Sequence, residues 1–124
     1  MIGKGKLIKF SNGKKLGVIR SDKTFMTFRK EKKHFFRIYN GWALNKKLLE
    51  ELKTIGVEFV EVHANDTKYI YRTLLKNFFS VGIIYKNPKY DKDIQIVLPL
   101  RFWKKYPMIE KRKIKTIEKF CEGL

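Results

Sequence analysis

The chain has very little of three things: cysteine, acidic side chains and uninterrupted apolar sequence. Cys121 is the only cysteine in 124 residues, which excludes an intrachain disulfide and a zinc site built from several cysteines. No apolar run approaches the ~18 residues of a membrane span, and Met1–Phe10 lacks the apolar region of a signal peptide. We therefore expect a soluble, cytoplasmic protein, and no motif indicates a metal or a cofactor.

Apolar residues are plentiful by contrast. Hydrophobic residues make up 44% of the chain and aromatic residues 15%, which is enough for a core and argues against disorder. A chain of this length is typical of one domain, so we predict a single domain over residues 1–124.

The shortage of acids leaves a formal net charge of +17, from 29 Lys and Arg against 12 Asp and Glu. Residues 1–40 carry 12 basic and 2 acidic side chains, residues 41–100 carry 9 and 7, and residues 101–124 carry 8 and 3. A bound polyanion would relieve the self-repulsion of such a charge. Thermophile proteins also enrich lysine, but they usually enrich glutamate with it. The composition thus favours a polyanionic partner over a merely solvated basic surface.

The first forty residues alternate β-rich runs with turn signals. The runs are Lys6–Phe10, Leu16–Arg20, Thr24–Arg29 and His34–Tyr39. Asn12-Gly13, between the first two, is a strong hairpin signal. The pattern predicts a four-stranded antiparallel meander, in which the first and third turns lie at the same end of the sheet.

The rest of the chain predicts helices and strands in mixed order. Asn45 is a suitable N-cap for an amphipathic helix that ends at Gly56. Its apolar stripe consists of Leu48, Leu49, Leu52 and Ile55. The next predicted elements are a hairpin of Val57–His63 and Lys68–Arg72, a helix over Leu74–Val81 capped by Thr73 and ended by Gly82, a strand over Ile94–Leu98, and a closing helix with Ile109, Ile114, Ile117 and Phe120 on one face.

The predicted class is therefore α+β. It consists of an N-terminal antiparallel β-meander followed by an amphipathic helix, a β-hairpin, a short helix, a strand and a C-terminal helix.

Basic side chains collect in two segments, and we predict that both contact phosphates. The N-terminal set is Lys14, Lys15, Lys30, Lys32, Lys33 and Arg37. The C-terminal set is Arg101, Lys104, Lys105, Lys111, Arg112 and Lys113. Clustered cations suit a phosphate backbone, because each neutralised phosphate releases a condensed counterion. Solvated loop tips are the alternative for the turn lysines, and an anionic membrane or a partner protein is the alternative for the closing helix.

Aromatic residues accompany these cations in two places. In Arg101–Tyr106, helical spacing would place Phe102, Trp103 and Tyr106 on one face, and we assign these rings to the core. In the predicted hairpin, Phe59 lies on one face of its strand, and Tyr69 and Tyr71 share one face of theirs. Such rings would stack on bases if exposed, or cover the amphipathic helix otherwise.

No catalytic residue can be named from the sequence. The triplets Glu31-Lys32-Lys33, Glu51-Leu52-Lys53 and Asp66-Thr67-Lys68 match a pattern of metal-dependent nucleases, but a chain so rich in lysine contains such triplets by chance. Glu61 and His63 share one strand face, a pair that suits acid–base or metal chemistry. A metal-free ribonuclease that uses His34 or His63 is a further alternative.

Three segments carry a resemblance to a wider group of proteins. They are His34–Leu44 (HFFRIYNGWAL), Leu48–Gly56 and Ile96–Leu100 (IVLPL). Together they resemble small uncharacterised proteins of thermophilic archaea and of their plasmids or viruses. The resemblance implies no activity, and it favours a role in handling the DNA of a mobile element.

These observations predict a nucleic-acid-binding protein that contacts DNA or RNA mainly through phosphates. One alternative is a small nuclease or toxin-type ribonuclease. The other alternative is an adaptor that binds an acidic protein partner.

Overall fold

Short strands and helices alternate in the part of the chain that the computed structural model describes, residues 6–9, 15–86 and 94–108. The strands are β1 (Lys6–Lys9), β2 (Lys15–Ile19), β3 (Thr24–Arg29), β4 (Gly41–Asn45), β5 (Phe59–Ala64), β6 (Tyr69–Leu74), β7 (Ile83–Lys86), β8 (Ile94–Pro99) and β9 (Lys104–Pro107). The helices are α1 (Glu31–His34), α2 (Lys46–Thr54) and α3 (Leu75–Val81), and a 3₁₀ turn covers Leu100–Phe102. Among these residues no helix is both long and apolar enough to cross a bilayer.

The strands form two sheets. The large sheet has the order β1-β2-β3-β5-β6-β9, and the small sheet has the order β4-β8-β7. Neighbouring strands are antiparallel except β3 and β5, which run parallel with Thr24 opposite Phe59 and Arg29 opposite Ala64. The α+β class is confirmed, and the first three predicted strands do form an antiparallel meander.

The predicted fourth strand of the meander, His34–Tyr39, is wrong. The chain instead turns into α1 directly after β3, because both carboxylate oxygens of Asp66 accept hydrogen bonds from backbone amides at the start of α1. The donors are the N–H groups of Glu31 and Lys32, at 2.8 and 3.0 Å. The chain then reverses in a turn and enters β4 of the small sheet. The place beside β3 is taken by β5, which begins 30 residues after the end of β3.

Helix α2 has the predicted caps. The Asn45 side-chain oxygen accepts hydrogen bonds from the N–H groups of Lys47 and Leu48 at 2.8 and 3.2 Å. At the other end Gly56 adopts a φ of +90°, and the backbone bonds that close the helix there form a Schellman motif. Ile55, predicted in the buried stripe, is 54% exposed because the last helical residue precedes it.

The second half of the chain matches the prediction in part. The hairpin of β5 and β6 is present, and α3 ends at Gly82 as predicted. Thr73, predicted as the cap of α3, lies instead in β6 and donates its hydroxyl hydrogen to the Phe102 carbonyl at 2.7 Å. Strands β7 and β9 were not predicted. The predicted closing helix after Pro107 lies outside the described residues.

The helical arrangement predicted for Arg101–Tyr106 is also wrong. A 3₁₀ turn leads into β9, so the side chains of this segment do not share a helical face. Trp103 is buried, as predicted, and its indole N–H donates to the Leu98 carbonyl at 2.9 Å. Tyr106, by contrast, is 39% exposed and therefore is not a core residue.

One apolar cluster joins the two sheets and the longer helices. Its members from the large sheet are Phe25, Val60, Val62, Ala64 and Tyr71, which alternate along their strands and so lie on one face. Its other members include Leu48, Leu49 and Leu52 of α2, Leu75 and Phe78 of α3, and Trp42, Leu44, Ile96 and Leu98 of the small sheet. Helices α2 and α3 and the small sheet therefore pack on the same side of the large sheet.

Candidate nucleic-acid interface

The large sheet has a second face, opposite the core, on which neither α2 nor α3 packs. We call it the open face. Strand register assigns to it Arg20 after β2, Met26 and Phe28 of β3, Phe59, Glu61 and His63 of β5, Ile70, Arg72 and Leu74 of β6, and Lys104 and Tyr106 of β9. Sheets that bury only one face normally present polar side chains on the other. Here aromatic and apolar side chains stand among cations instead.

An aromatic row crosses the open face. Phe28, His63, Ile70 and Tyr106 are direct neighbours on four adjacent strands. Phe28 is 52% exposed and Tyr106 39%, and the Phe28 ring meets the His63 ring edge-on with centroids 5.3 Å apart. Three inter-strand steps of about 4.8 Å separate the backbones of Phe28 and Tyr106 by about 14 Å. The row therefore offers two exposed rings at its ends, with His63 and Ile70 between them.

A charged row runs beside the aromatic row and is centred on Glu61. One carboxylate oxygen accepts hydrogen bonds from Arg72 and, at 3.1 Å, from Arg20, and the other accepts from His63 Nε2 at 2.9 Å. The Arg72 guanidinium also lies over the Phe59 ring, 4.2 Å from its centroid. Arg20 also forms an ion pair with Asp22 at 3.2 Å, so the two arginines balance two carboxylates, and Lys104 beside Arg72 makes this part of the face positive.

Glu61 stays ionised in this setting although only 6% of it is exposed. Burial raises the pKa of the carboxyl group, but the hydrogen bonds from His63 and Arg72 and the charge of Arg20 outweigh it and lower the pKa to about 2. The network therefore fixes the positions of both arginines on the open face.

The structure brings some of the predicted phosphate contacts together. Lys30, Lys32 and Lys33 are all exposed at α1, and Lys15, at the start of β2, lies at the same end of the sheet because β2 and β3 are antiparallel. Lys104 adjoins Arg72 on the open face.

The other predicted contacts are dispersed or undescribed. Lys105 points to the opposite side of β9, with its ammonium group 4.1 Å from the centroid of the Tyr69 ring. Arg101 lies over Phe102, 4.7 Å from its centroid, and Arg37 is exposed in the turn after α1. Lys14, Lys111, Arg112 and Lys113 lie outside the described residues.

The aromatic surface predicted for the hairpin differs from the one present. Tyr69 and Tyr71 lie on the side opposite Phe59, and Tyr71 is fully buried. Its hydroxyl donates to the Glu31 carboxylate at 3.0 Å, and burial together with this carboxylate raises the pKa of Tyr71. Sequence reasoning missed Phe28 and placed Tyr106 in the core. Alternation along Thr24–Arg29 puts Phe28 opposite the core, but only the fold shows that neither α2 nor α3 covers this face.

The acid-x-Lys triplets do not converge. Glu31 accepts hydrogen bonds from the Thr67 and Tyr71 hydroxyl groups, Asp66 caps α1, and Glu51 is exposed on α2. Within residues 15–86 and 94–108, no three His, Cys, Asp or Glu side chains lie close enough together to hold a metal ion.

Comparison with protein-family models, with curated proteins and with solved structures found no match to this chain. The resemblance to proteins of thermophilic archaea and their mobile elements stays a prediction. The functional interpretation therefore depends on the geometry of the open face.

Proposed function

We propose that the protein binds single-stranded nucleic acid along the open face, with bases stacked on exposed rings and phosphates held by the neighbouring cations. The observation that carries this proposal is the aromatic row: Phe28 and Tyr106 are exposed on a sheet face that the described helices leave uncovered. Proteins that bind single strands combine stacking rings with a basic track, and such stacking depends little on base sequence.

The cations lie on both sides of the aromatic row, where they could bind the phosphates of a nucleic acid whose bases stack on the row. On one side Arg20, Arg72 and Lys104 form the edge of the charged row. On the other side β3 ends in the exposed lysines of α1. A backbone that follows the aromatic row therefore has positive charge on both flanks, which is the electrostatic requirement for binding phosphates.

Two tyrosines of similar exposure provide a matched test of the stacking surface. Tyr106 lies on the open face and Tyr69 lies on the opposite side of the sheet, and their exposed fractions are 39% and 36%. Tyr106→Ala should weaken the binding of a single-stranded oligonucleotide by about tenfold, since one base stack contributes roughly 1–3 kcal/mol. Fluorescence anisotropy at fixed salt measures the dissociation constant.

Tyr69→Ala is the control and should leave the dissociation constant within about twofold of the parent value. Equal losses from both substitutions, or no loss from Tyr106→Ala and Phe28→Ala, would contradict the proposal. Binding to an acidic protein in the absence of any binding to oligonucleotides would favour the adaptor alternative.

A second candidate function, metal-independent RNA cleavage, is favoured by the contact between Glu61 and His63. In this reaction His63, oriented by its hydrogen bond to Glu61, takes the proton of a ribose 2′-hydroxyl group, and the 2′-oxygen attacks the adjacent phosphorus. The bond from phosphorus to the 5′-oxygen breaks, and that oxygen takes a proton from water. Arg72 and Arg20, which both bond Glu61, would stabilise the additional negative charge on the phosphate.

The products of this reaction distinguish it from binding alone. RNA incubated with the protein and a metal chelator should yield fragments with 2′,3′-cyclic phosphate and 5′-hydroxyl ends. His63→Gln should abolish these fragments and leave the binding of DNA intact. Intact RNA after incubation with the parent protein, or cleavage that persists in the variant, would exclude this second function.

A further inference from the structure

A basic cleft opens where β3 and β5 end, next to the aromatic row. It has a volume of about 520 Å³ and lies between α1 and the turn that joins β5 to β6. Its lining residues are Phe28, Arg29, Lys30, Lys33, His34, Asn65 and Asp66. The exposed Phe28 ring belongs both to this cleft and to the aromatic row, so the two surfaces are continuous.

The cations of the cleft are not neutralised within the described part of the chain. No described carboxylate lies within ion-pair distance of Arg29, Lys30 or Lys33. Asp66, the acidic residue in the lining, directs both carboxylate oxygens to the amides at the start of α1. The lining thus carries three cations and one carboxylate, and its net charge is positive.

One titratable group, His34, reports this positive charge, and Arg29 is a partly buried cation beside it. Burial lowers the pKa of the Arg29 guanidinium, and among the described residues its Nε donates a long, 3.5 Å hydrogen bond to the Thr27 hydroxyl. Burial and the charges of Arg29 and Lys33 lower the pKa of His34 as well, and its Nδ1 accepts a long, 3.4 Å hydrogen bond from the Lys30 amide. A bound anion would relieve both effects.

We propose that the basic cleft binds the terminal phosphate of a nucleic-acid strand whose last base stacks on Phe28. The inference rests on the proposed function and adds to it a preference for strand ends that carry a phosphate. A terminal phosphate has close to two negative charges at neutral pH and three free oxygens, whereas an internal phosphodiester has one charge. Three cations that pair with no described carboxylate, together with the Asn65 amide, match the terminal group better.

Oligonucleotides that differ only at their ends test this inference. An oligothymidylate of about ten nucleotides, within the usual site size of single-strand binders, is prepared with a 5′-phosphate, with a 3′-phosphate or with neither. One phosphorylated form should bind about tenfold more tightly than the unphosphorylated form, since charge-assisted hydrogen bonds contribute at this level. Lys33→Ala should remove that difference. Lys47→Ala, at an exposed site on α2, should preserve it.

His34 provides a second measurement on the parent protein. Thymidine 5′-monophosphate and thymidine 3′-monophosphate are both titrated, and at least one should raise the pKa of the His34 ring in an NMR titration, whereas thymidine should not. These probes also examine the cleft if no oligonucleotide binds, an outcome that would overturn the proposed function. Tight binding of all three oligonucleotides with equal affinity would overturn the end preference and leave the proposed function in place.

Discussion

Glu61 is the residue that holds the open face together, because two arginines and a histidine meet on its carboxylate. Its ordinary pKa is 4.5, and in the fold it falls to about 2. Since the folded value lies below the unfolded one, the charged group stabilises the fold above pH 4.5, and this contribution is lost as the pH falls towards 2. The shift corresponds to about 3 kcal/mol at most.

Glu61→Gln should therefore lower the free energy of unfolding at neutral pH by about 2–3 kcal/mol, because Arg72 loses its carboxylate partner in a half-buried position. The variant should also lose much of the fall in stability between pH 4.5 and 2. Urea unfolding across this pH range measures both effects. Glu50→Gln is the control, since Glu50 forms an exposed pair with Lys46 that contributes under about 1 kcal/mol. Parallel pH profiles for Glu61→Gln and the parent would refute this account.

Individual residues of the open face also show which parts of the site can be predicted from the sequence. The shared face of Glu61 and His63 follows from strand alternation alone. The convergence of Arg20 and Arg72 on Glu61 does not, because it needs the pairing of three strands. Likewise, nothing local to Tyr106 distinguishes an exposed ring from a core ring. Its position depends on β9 adding to the edge of β6.

At the scale of elements, α2 was predicted most closely because its signals are local. A cap, an apolar stripe and a terminal glycine lie within twelve residues of sequence, from Asn45 to Gly56. Helix α1 has no such signal: it is four residues long, and its amides are capped by Asp66 from a different hairpin. The parallel pairing of β3 with β5 is non-local in the same way. Sequence patterns therefore predicted most strands and the pairing of strands joined by short turns, but not the pairing of strands distant in sequence.

The two caps of α2 should contribute separately to stability. Asn45→Ala should lower the free energy of unfolding by about 1 kcal/mol, because it removes the acceptor for two helical amides. Asn45→Asp should retain most of the stabilisation by the cap, because its carboxylate can accept the same hydrogen bonds. Gly56→Ala should cost about 1 kcal/mol through its positive φ alone, since no atom lies within 4 Å of the added methyl group. Chemical unfolding of each variant and of the double variant measures these values. A double variant that loses much less than the sum would contradict independent caps.

At the scale of the whole molecule, both ends of the chain contribute edges to one sheet. Strand β1 forms one edge and β9 the other, with β2, β3, β5 and β6 between them. Strands β1 and β9, which come from the two basic segments, therefore lie at opposite edges of the same sheet, while the more neutral middle of the chain supplies the longer described helices and the small sheet. The charge distribution predicted two basic flanks, but only the strand order relates them to a common face.

This arrangement predicts how binding should respond to salt. Each phosphate contact on a single strand adds about 0.7 to the slope of log affinity against log salt concentration. Replacing Lys30, Lys33 and Lys104 with Gln should therefore reduce the slope by about two. The same change at Lys47, Lys53 and Lys76, which are exposed on α2 and α3, should leave the slope within about half a unit of the parent value, because those helices pack on the other side of the sheet. Anisotropy titrations at several salt concentrations measure both slopes. Equal reductions in the two triple variants would mean that the positive charge acts over the whole surface. The open face would then not be the surface that binds the nucleic acid.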